Sequence, residues 1–172
     1  KSDMISKQRL KGNRGFIFDR NGNYLARNIK AYSFIVDTQQ KYDRDKILDL
    51  FPKTFDKSRS HYEKILSKKS NGVVIEKDIP MTKCIDIVNT NINGLSKPYK
   101  TVRDYPYNEL AAQVIGYTNK NYSGVTGVEK YFNKTLKGKD GQRTLVKSKN
   151  GYRYEDLYSE AELPMQGRDL TI

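Results

Sequence analysis

The sequence predicts an α+β fold, with a β-hairpin-rich anchor lobe and a small inserted head lobe of helices and strands. Three observations predict it. The Asn21-Gly22 pair lies between two short apolar runs, which is the strongest short-range signal of a β-hairpin. Apolar residues at helical spacing occupy much of the chain between residues 37 and 94. Strand patterns return after residue 94, and this segregation of strands and helices is typical of an α+β protein.

The first element is the hairpin whose turn contains Asn21-Gly22. Phe16 and Phe18 share one face of the incoming strand, because strand side chains alternate with a period of two. Tyr24 and Ala26 continue the returning strand. A bare hairpin needs only these turn residues and its apolar face, so the charged residues around the same turn require another explanation.

Residues 31–93 alternate between strand and helix patterns. Residues 31–36 and 73–75 are predicted strands. Asp43 is the expected N-cap of one helix, a second helix is expected over residues 58–68, and a third begins at Met81 after Pro80. The apolar positions expected to face the core of these helices are Ile47, Leu48 and Phe51, then Tyr62, Ile65 and Leu66, then Met81, Cys84, Ile85 and Val88.

The remaining chain predicts further strands and two more helices. A strand is expected over residues 95–103, a helix over 109–115 that ends at Gly116, and a helix over 125–136 that ends near Gly138. Both glycines are expected in the left-handed αL conformation, which costs glycine least. Residues 142–147 and 152–157 predict a second hairpin around Asn150-Gly151.

The composition is strongly basic and only moderately apolar. Hydrophobic residues make up 36% of the chain, charged residues 30%, and the net charge is +12. Residues 1–30 hold eight Lys and Arg against two Asp. A basic surface of this kind attracts anionic lipid headgroups or wall polymers, and it leaves open an alternative function as a polyanion-binding or nucleic-acid-binding module. Nucleic acid itself is not expected as a partner, because zinc-finger spacing, a basic heptad region and an RNP-like aromatic string are absent from the sequence.

The sequence offers no metal site and no cofactor site. Cys84 is the only cysteine and His61 the only histidine. A single cysteine excludes an intramolecular disulfide and a zinc-binding cysteine cluster, so Cys84 is expected to pack in a core and His61 to lie on the surface. No run of 18 apolar residues exists, so the sequence contains no membrane-spanning segment.

The charged residues around the hairpin are part of a longer string, Arg14-Gly15-Phe16-Ile17-Phe18-Asp19-Arg20-Asn21-Gly22-Asn23-Tyr24-Leu25-Ala26. This string resembles the opening motif of the class B penicillin-binding proteins, the monofunctional cell-wall transpeptidases. Two further strings occur in the order found in that family, Arg103-Asp104-Tyr105-Pro106 and Gly124-Val125-Thr126-Gly127-Val128-Glu129. The resemblance spans roughly residues 12–172, and it is weakest between residues 36 and 100.

The motifs of transpeptidase catalysis are absent. A penicillin-binding transpeptidase needs Ser-x-x-Lys, Ser-x-Asn and Lys-Thr-Gly, because a base must activate the serine and donors must hold the substrate. No serine precedes a lysine by three residues, and Lys-Thr-Gly does not occur. Ser148-Lys149-Asn150 fits the second motif, but it precedes Gly151 and is better explained as a hairpin turn. A self-sufficient enzyme is therefore not expected.

The resemblance implies that residues 1–172 form one N-terminal pedestal domain, also called a dimerisation domain. Residues 12–36 and 95–172 would form the anchor lobe, and residues 37–94 the head lobe. A transmembrane helix is expected upstream and a D,D-transpeptidase domain downstream, which places the pedestal on the extracytoplasmic face of the bacterial membrane. The implied partners are the chain's own transpeptidase domain, a SEDS-type glycosyltransferase and other membrane proteins of the divisome or elongasome.

The motif residues are the candidate site. We expect Arg14, Asp19, Arg20, Arg103 and Glu129 to converge in one partly buried ion-pair network, because charges removed from water need partners. The other motif residues expected to support this network are Gly15, Asn21, Gly22, Tyr105, Pro106 and Gly127. Lys64, Lys68 and Lys69 are expected on the solvent side of the head lobe, as candidate contacts for a partner protein.

Overall fold

The computed structural model describes residues 4–148, 153–155 and 159–172. Its described residues form two sheets and six short helices, which confirms the predicted α+β class. The strands are β1 Met4–Leu10, β2 Ile17–Phe18, β3 Tyr24–Val36, β4 Val73–Pro80, β5 Leu95–Ser96, β6 Tyr99–Asp104, β7 Gly141–Lys147, β8 Arg153–Glu155 and β9 Leu170–Thr171. The helices are α1 Arg44–Phe55, α2 Arg59–Leu66, α3 Met81–Asn89, α4 Asn108–Ile115, α5 Gly127–Tyr131 and α6 Asn133–Leu136.

The chain divides into two compact units. Unit 1 comprises Lys1–Asn28 and Arg103–Ile172, and unit 2 comprises Ile29–Val102. These boundaries differ from the expected ones at residues 36 and 95. The reason is that Tyr32, Phe34 and Val36 bury their side chains in the core of unit 2, so the second half of β3 belongs with the helices.

Unit 1 contains an antiparallel sheet of order β1-β7-β8, in which Leu10 pairs with Gly141. Beside the hairpin, β2 pairs antiparallel with the start of β3 and parallel with β9. A register shift between Ile17 and Phe18 puts Ile17 opposite Ala26, and both are fully buried. The hairpin therefore buries the side chain of Ile17. An aromatic cluster of Phe16, Phe18 and Tyr24 lies at half-exposed or exposed positions of the same hairpin.

Unit 2 packs α1, α2 and α3 against β3 and β4 over an aromatic core. Phe51 lies edge-on to Phe34 at 5.4 Å and to Tyr62 at 5.7 Å between ring centroids. Tyr62 is fully buried, and its hydroxyl donates to Glu76 Oε1 at 2.7 Å, so the polar end of the ring has a partner. The expected core positions of α1 and α2 are confirmed for Ile47, Leu48, Phe51, Tyr62 and Leu66.

Two helix predictions need correction. The expected apolar face of α3 is confirmed for Cys84, which is buried, and for Met81 and Val88, which pack against the core. It is wrong for Ile85, which is 38% exposed, and Ile87 is buried instead. Cys84 has φ −140° and ψ 20°, and this non-helical conformation interrupts the spacing. The single helix expected over residues 125–136 is two short helices, α5 and α6, separated by Phe132 at φ −97° and ψ 21°.

The expected caps also differ. Asp43 is at the N-cap position of α1, as expected, but its side chain makes no capping hydrogen bond, and its carboxylate accepts from the Asn93 N–H at 3.1 Å instead. Gly116 has φ 75° and ψ −154°, which is not αL. Gly138 does not have a positive φ. A Cβ at Gly138 would lie 2.6 Å from the Asn13 carbonyl oxygen, so a close backbone approach requires this glycine.

The second predicted hairpin lies partly outside the described residues. Strands β7 and β8 pair antiparallel, with Lys147 opposite Arg153. The turn expected at Asn150-Gly151 and most of the Ser-x-Asn string fall outside the described ranges. Among the residues that are described, no helix is long and apolar enough to cross a membrane.

Candidate functional site

The hairpin turn is organised by the Asp19 carboxylate. Asp19 Oδ1 accepts from the backbone N–H groups of Asn21 at 2.8 Å and Asn23 at 2.9 Å, and Oδ2 accepts from Asn23 Nδ2 at 2.8 Å. These hydrogen bonds lower the pKa of Asp19, with the Asn23 side chain contributing most. Gly22 has φ 82°, which closes the turn. Asp19, Asn21 and Gly22 therefore shape the hairpin, and Arg20 is exposed.

A buried cluster of charges lies in unit 1, and we define it as Arg14, Asn28, Arg103, Tyr105 and Glu129. Glu129 is at its centre, and its side chain is 0% exposed. Glu129 Oε2 accepts from Arg14 Nε at 2.7 Å, and Oε1 accepts from Arg103 Nε at 2.8 Å. The side chains of the two arginines are 1% and 3% exposed. One carboxylate thus neutralises part of the charge of two buried guanidiniums.

Arg14 uses its remaining donors on the backbone and side chains around α5 and α6. Nη2 donates to the Glu129 carbonyl oxygen at 2.8 Å, and Nη1 donates to Asn133 Oδ1 at 2.8 Å and to the Tyr122 carbonyl oxygen at 2.9 Å. Asn133 Oδ1 also accepts from the Gly124 N–H at 2.9 Å. The planar guanidinium is therefore the link between the first motif and the chain around the third.

Asn28 and Tyr105 complete the cluster. Asn28 Nδ2 donates to the Arg14 carbonyl oxygen at 2.6 Å, and its Oδ1 accepts from Arg103 Nη1 at 2.9 Å. The Tyr105 hydroxyl donates to Glu129 Oε1 at 3.3 Å. Arg103 Nη2 is buried and has no hydrogen-bond partner among the described residues.

Burial sets the protonation behaviour of the cluster. Burial lowers the pKa of Arg14, and the Glu129 carboxylate opposes that effect. Burial also raises the pKa of Tyr105, and the negative charge of Glu129 adds to the rise. Tyr105 therefore stays protonated as a hydrogen-bond donor, and the Arg14 guanidinium stays charged because an arginine does not lose its proton in proteins.

The structure brings together Arg14, Arg103 and Glu129 of the five charges expected to converge, and Tyr105 joins them. Asp19 and Arg20 lie in the hairpin turn, and no contact between them and the cluster is present among the described residues. The Gly15 N–H donates to the Leu136 carbonyl oxygen at 2.8 Å. Gly127 starts α5 at φ 58°, a conformation that favours glycine.

Four other expected site residues lie away from the cluster. Pro106 is exposed. Lys64, Lys68 and Lys69 are exposed in unit 2, on α2 and just after it, as the sequence predicts. Sequence reasoning missed Asn28 and Asn133. Asn28 shares a strand face with the buried Ala26, and Asn133 lies four residues after Glu129, so spacing alone could have indicated both.

The cluster has no catalytic chemistry of its own. Its members are one carboxylate, two guanidiniums, an amide and a phenol. They do not include a nucleophile with an adjacent base. Among the described residues, no group of three His, Cys, Asp or Glu could hold a metal ion. What the geometry does is tie residues 14, 28, 103 and 129 into one packed unit.

The sequence profile of the penicillin-binding protein dimerisation domain matches residues 9–172. The chain belongs to this family. All three motif strings lie inside the match, and so do all members of the buried cluster. The expected resemblance to class B penicillin-binding proteins is thereby confirmed.

Named relatives agree with the family. The chain is 26% identical to peptidoglycan D,D-transpeptidase FtsI of Escherichia coli K12 over 159 residues, covering 88% of this chain and 27% of FtsI. It is 26% identical to stage V sporulation protein D of Bacillus subtilis, covering 92% and 25%. It is 27% identical to peptidoglycan D,D-transpeptidase MrdA of Salmonella typhimurium, covering 92% and 30%. The chain therefore spans less than a third of each of these relatives.

Solved structures share the fold. Penicillin-binding protein PBP2 of Helicobacter pylori, in complex with MreC, matches with a TM-score of 0.60 and 24% identity, covering 99% of this chain and 36% of that one. Penicillin-binding protein 2X of Streptococcus thermophilus matches with a TM-score of 0.59 and 25% identity, covering 95% and 28%.

Proposed function

We propose that this chain is the non-catalytic pedestal of a cell-wall D,D-transpeptidase. It positions a catalytic domain above the membrane and offers surfaces to other proteins of peptidoglycan synthesis. The observation that carries the proposal is the family match over residues 9–172. FtsI and MrdA are named D,D-transpeptidases, and this chain covers 27% and 30% of them, so the reaction belongs to the rest of the longer protein.

The buried cluster supports a mechanical role. A pedestal must transmit position without deforming, and the cluster joins segments that are 115 and 26 residues apart in sequence through charges with almost no exposure. Removing one partner of such a pair leaves a buried charge unpaired, which costs about 3–5 kcal/mol. Local opening of unit 1 is correspondingly unfavourable, because it separates these partners.

The proposed location is the extracytoplasmic face of a bacterial membrane, with a transmembrane helix upstream of this chain. The proposed partners are a SEDS-type glycosyltransferase, other divisome or elongasome proteins and the chain's own transpeptidase domain. The Helicobacter pylori relative was solved with MreC, which supports partner proteins of this general kind. Whether the parent protein serves division or elongation follows from which partner it recruits.

Unit 2 is the proposed contact region. Lys64, Lys68 and Lys69 are exposed, and Ile85 on α3 is 38% exposed. The exposed residues of α2 and α3 can vary without disturbing the aromatic core beneath them. A partner can dock there through aliphatic side chains with charged residues around them, as interfaces commonly do.

The test of the non-catalytic assignment is labelling with a fluorescent penicillin. The chain alone should show no covalent label, and the longer protein that includes its downstream domain should label with one-to-one stoichiometry. Stoichiometric labelling of the chain itself would overturn the non-catalytic assignment. A longer protein that folds but does not label would overturn the transpeptidase parent.

The contact region is tested by charge reversal in the longer protein. Lys64, Lys68 and Lys69 are each changed to Glu, and co-purification with the glycosyltransferase is measured. A matched control reverses three exposed lysines of unit 1, Lys7, Lys130 and Lys134. Because all six side chains are exposed, each reversal should change the free energy of unfolding by less than about 0.5 kcal/mol. Loss of co-purification only in the unit 2 variant supports the contact region, and equal recovery of both variants refutes it.

A further inference from the structure

Unit 1 contains a cavity of about 810 Å³ that the buried cluster does not explain. Its walls come from three separate stretches of chain, residues 9–14, 120–122 and 137–140. This volume falls within the range of about 300–1,000 Å³ that is usual for small-molecule sites. The cavity is therefore large enough for an extended ligand or for several linked groups.

The cavity is lined by cations. The cations in its walls are Arg9, Lys11, Arg14, Lys120, Lys137 and Lys139. The five cations other than Arg14 are exposed, so their charges are available to a ligand. We call this cavity the basic cavity.

Most of these charges are not neutralised within the protein. Asp140 is the one carboxylate in the lining, and it is already engaged, because it pairs with Arg9 and its Oδ1 accepts from the Gly12 N–H at 2.9 Å. In the described part of the chain, no carboxylate lies within ion-pair distance of the four lysines, Lys11, Lys120, Lys137 and Lys139. The four positive charges around one cavity repel each other. An anion that enters the cavity is attracted by all four and relieves that repulsion.

Specific contacts fix the wall of the cavity that contains Tyr122. Tyr122 has φ 57°, which is unusual for an aromatic residue. Its carbonyl oxygen is held by Arg14 at 2.9 Å, and its N–H donates to the Asn119 carbonyl oxygen at 3.0 Å. The Lys11 ammonium lies 3.4 Å from the centre of the Tyr122 ring, a cation–π contact that fixes the position of the charge. Strained backbone held this firmly is often found at ligand sites.

The opposite wall is held in a similar way. The Lys137 ammonium donates to Ser123 Oγ at 3.0 Å, which ties the chain after α6 to the turn that carries Tyr122. A Cβ at Gly12 would lie 2.4 Å from the Lys139 carbonyl oxygen, so residues 12 and 139 approach as closely as two backbones can. These contacts hold the backbone of residue 139 against Gly12 and the Lys137 side chain against Ser123.

We propose that the basic cavity binds a phosphorylated polyanion, in which two or more phosphate groups contact the four lysines. The ammonium groups of the four lysines have no carboxylate partner among the described residues, and an ammonium group binds phosphate as a point charge. Both arginines of the lining are already paired with carboxylates. An acidic protein segment would also bring apolar anchors, and Tyr122 is the only large apolar ring in the lining. The phosphates can belong to a lipid headgroup or to a soluble phosphate polymer.

The test uses sodium tripolyphosphate as the soluble probe, titrated into the chain by calorimetry. Each lysine should contribute roughly fivefold to affinity, by analogy with its attraction to an anionic surface. The variant with Lys11, Lys120, Lys137 and Lys139 all changed to Gln should therefore bind roughly 600-fold more weakly if the four contributions add. The matched control changes Lys30, Lys41, Lys53 and Lys77 to Gln, which removes the same charge from exposed positions of unit 2 outside the proposed contact region.

Affinity that falls in the cavity variant and stays within twofold in the control supports the proposal. An equal fall in both variants, or no binding by the unchanged chain, overturns it. Circular dichroism and thermal melts of both variants verify that the fold is kept. A backbone amide NMR titration gives an independent readout, since shifts should concentrate in residues 9–12, 120–123 and 137–140, and shifts spread over the whole basic surface contradict a defined site.

Two further arms identify the source of the phosphate. Phosphatidylglycerol vesicles in a phosphatidylcholine background test a lipid headgroup, and pure phosphatidylcholine vesicles are their control. Binding that prefers tripolyphosphate indicates a soluble polymer, and binding that prefers anionic vesicles indicates a lipid. Polyglutamate of matched charge is the last arm. If it binds as tightly as tripolyphosphate and loses the same affinity in the cavity variant, the site takes an acidic protein segment and the phosphate assignment is wrong.

Discussion

Replacing Glu129 with Ala should destabilise unit 1 severely. The carboxylate accepts from Arg14 at 2.7 Å, from Arg103 at 2.8 Å and from Tyr105 at 3.3 Å, and its side chain is 0% exposed. Its loss leaves two guanidiniums that are 1% and 3% exposed facing each other without a counter-charge. Breaking a buried pair in this way costs about 3–5 kcal/mol, whereas an exposed pair is worth less than about 1 kcal/mol.

The assay is urea unfolding followed by circular dichroism, with the free energy of unfolding obtained by linear extrapolation. If the two units unfold separately, the transition of unit 1 should move and that of unit 2 should not. The control is Glu63→Ala, which removes a pair with Arg59 whose side chains are 45% and 51% exposed, and it should cost less than about 0.5 kcal/mol. Glu129→Gln keeps the shape of the side chain and an acceptor oxygen, so its loss of unfolding free energy should lie between those of Glu129→Ala and Glu63→Ala.

A loss below about 0.5 kcal/mol for Glu129→Ala would refute the idea that the cluster is a buried, cooperative ion pair. Non-additivity is a second check. Because Arg14 and Glu129 contact each other, the double variant with both changed to Ala should lose less stability than the two single losses together. Additive losses would mean that the two side chains act independently.

Three further outcomes follow from single contacts. The pKa of Asp140 is lowered chiefly by the Gly12 N–H, so its stabilising effect should be present above its unfolded pKa of about 4 and be lost as pH falls through the folded pKa. The difference in unfolding free energy between the unchanged chain and Asp140→Asn should therefore shrink from about pH 5 to pH 2, and a constant difference contradicts this. The Lys97 ammonium donates to three backbone carbonyl oxygens near the end of α3 at 2.6 to 3.0 Å. Lys97→Met should therefore lower the unfolding free energy by about 1–2 kcal/mol in urea melts. No change in stability would show that these hydrogen bonds do not stabilise the helix end. Cys84 is 0% exposed, and burial raises the pKa of its thiol. A thiol reagent should therefore label Cys84 only after the chain unfolds. Rapid labelling of the folded chain would contradict the position of Cys84 in the core.

The fold class and most elements could be predicted from local patterns. Asn21-Gly22 and the alternating residues around it define the first hairpin, and the apolar spacing of α1 and α2 identifies their buried faces. The failures have a common cause. Non-helical dihedral angles at Cys84 and Phe132 interrupt the predicted helices, and neither residue type requires such angles. Tertiary packing rather than helix propensity therefore sets the backbone conformation at these two positions.

The site could be predicted in part. The motif strings contain Arg14, Arg103 and Glu129, and pairing of charges removed from water explains why these three meet. Asp19 carries the same charge as Glu129 and lies in the same string as Arg14, yet it binds the backbone of its own turn, a role that Asp commonly has. The basic cavity could not be predicted from local sequence patterns, because residues 9–14 of its wall lie more than 100 residues before the other two segments, 120–122 and 137–140.

We infer that this chain contributes contacts and position to a transpeptidase whose catalytic residues lie in another domain of the longer protein. The most direct measurement compares growth with fluorescent penicillin labelling in cells whose only copy of the longer protein carries Lys64→Glu, Lys68→Glu and Lys69→Glu. We expect labelling of the protein at the unchanged level together with defective growth, because the catalytic domain stays intact while recruitment fails. Normal growth, or a loss of labelling at unchanged protein levels, would show that these lysines do not recruit a partner separately from catalysis.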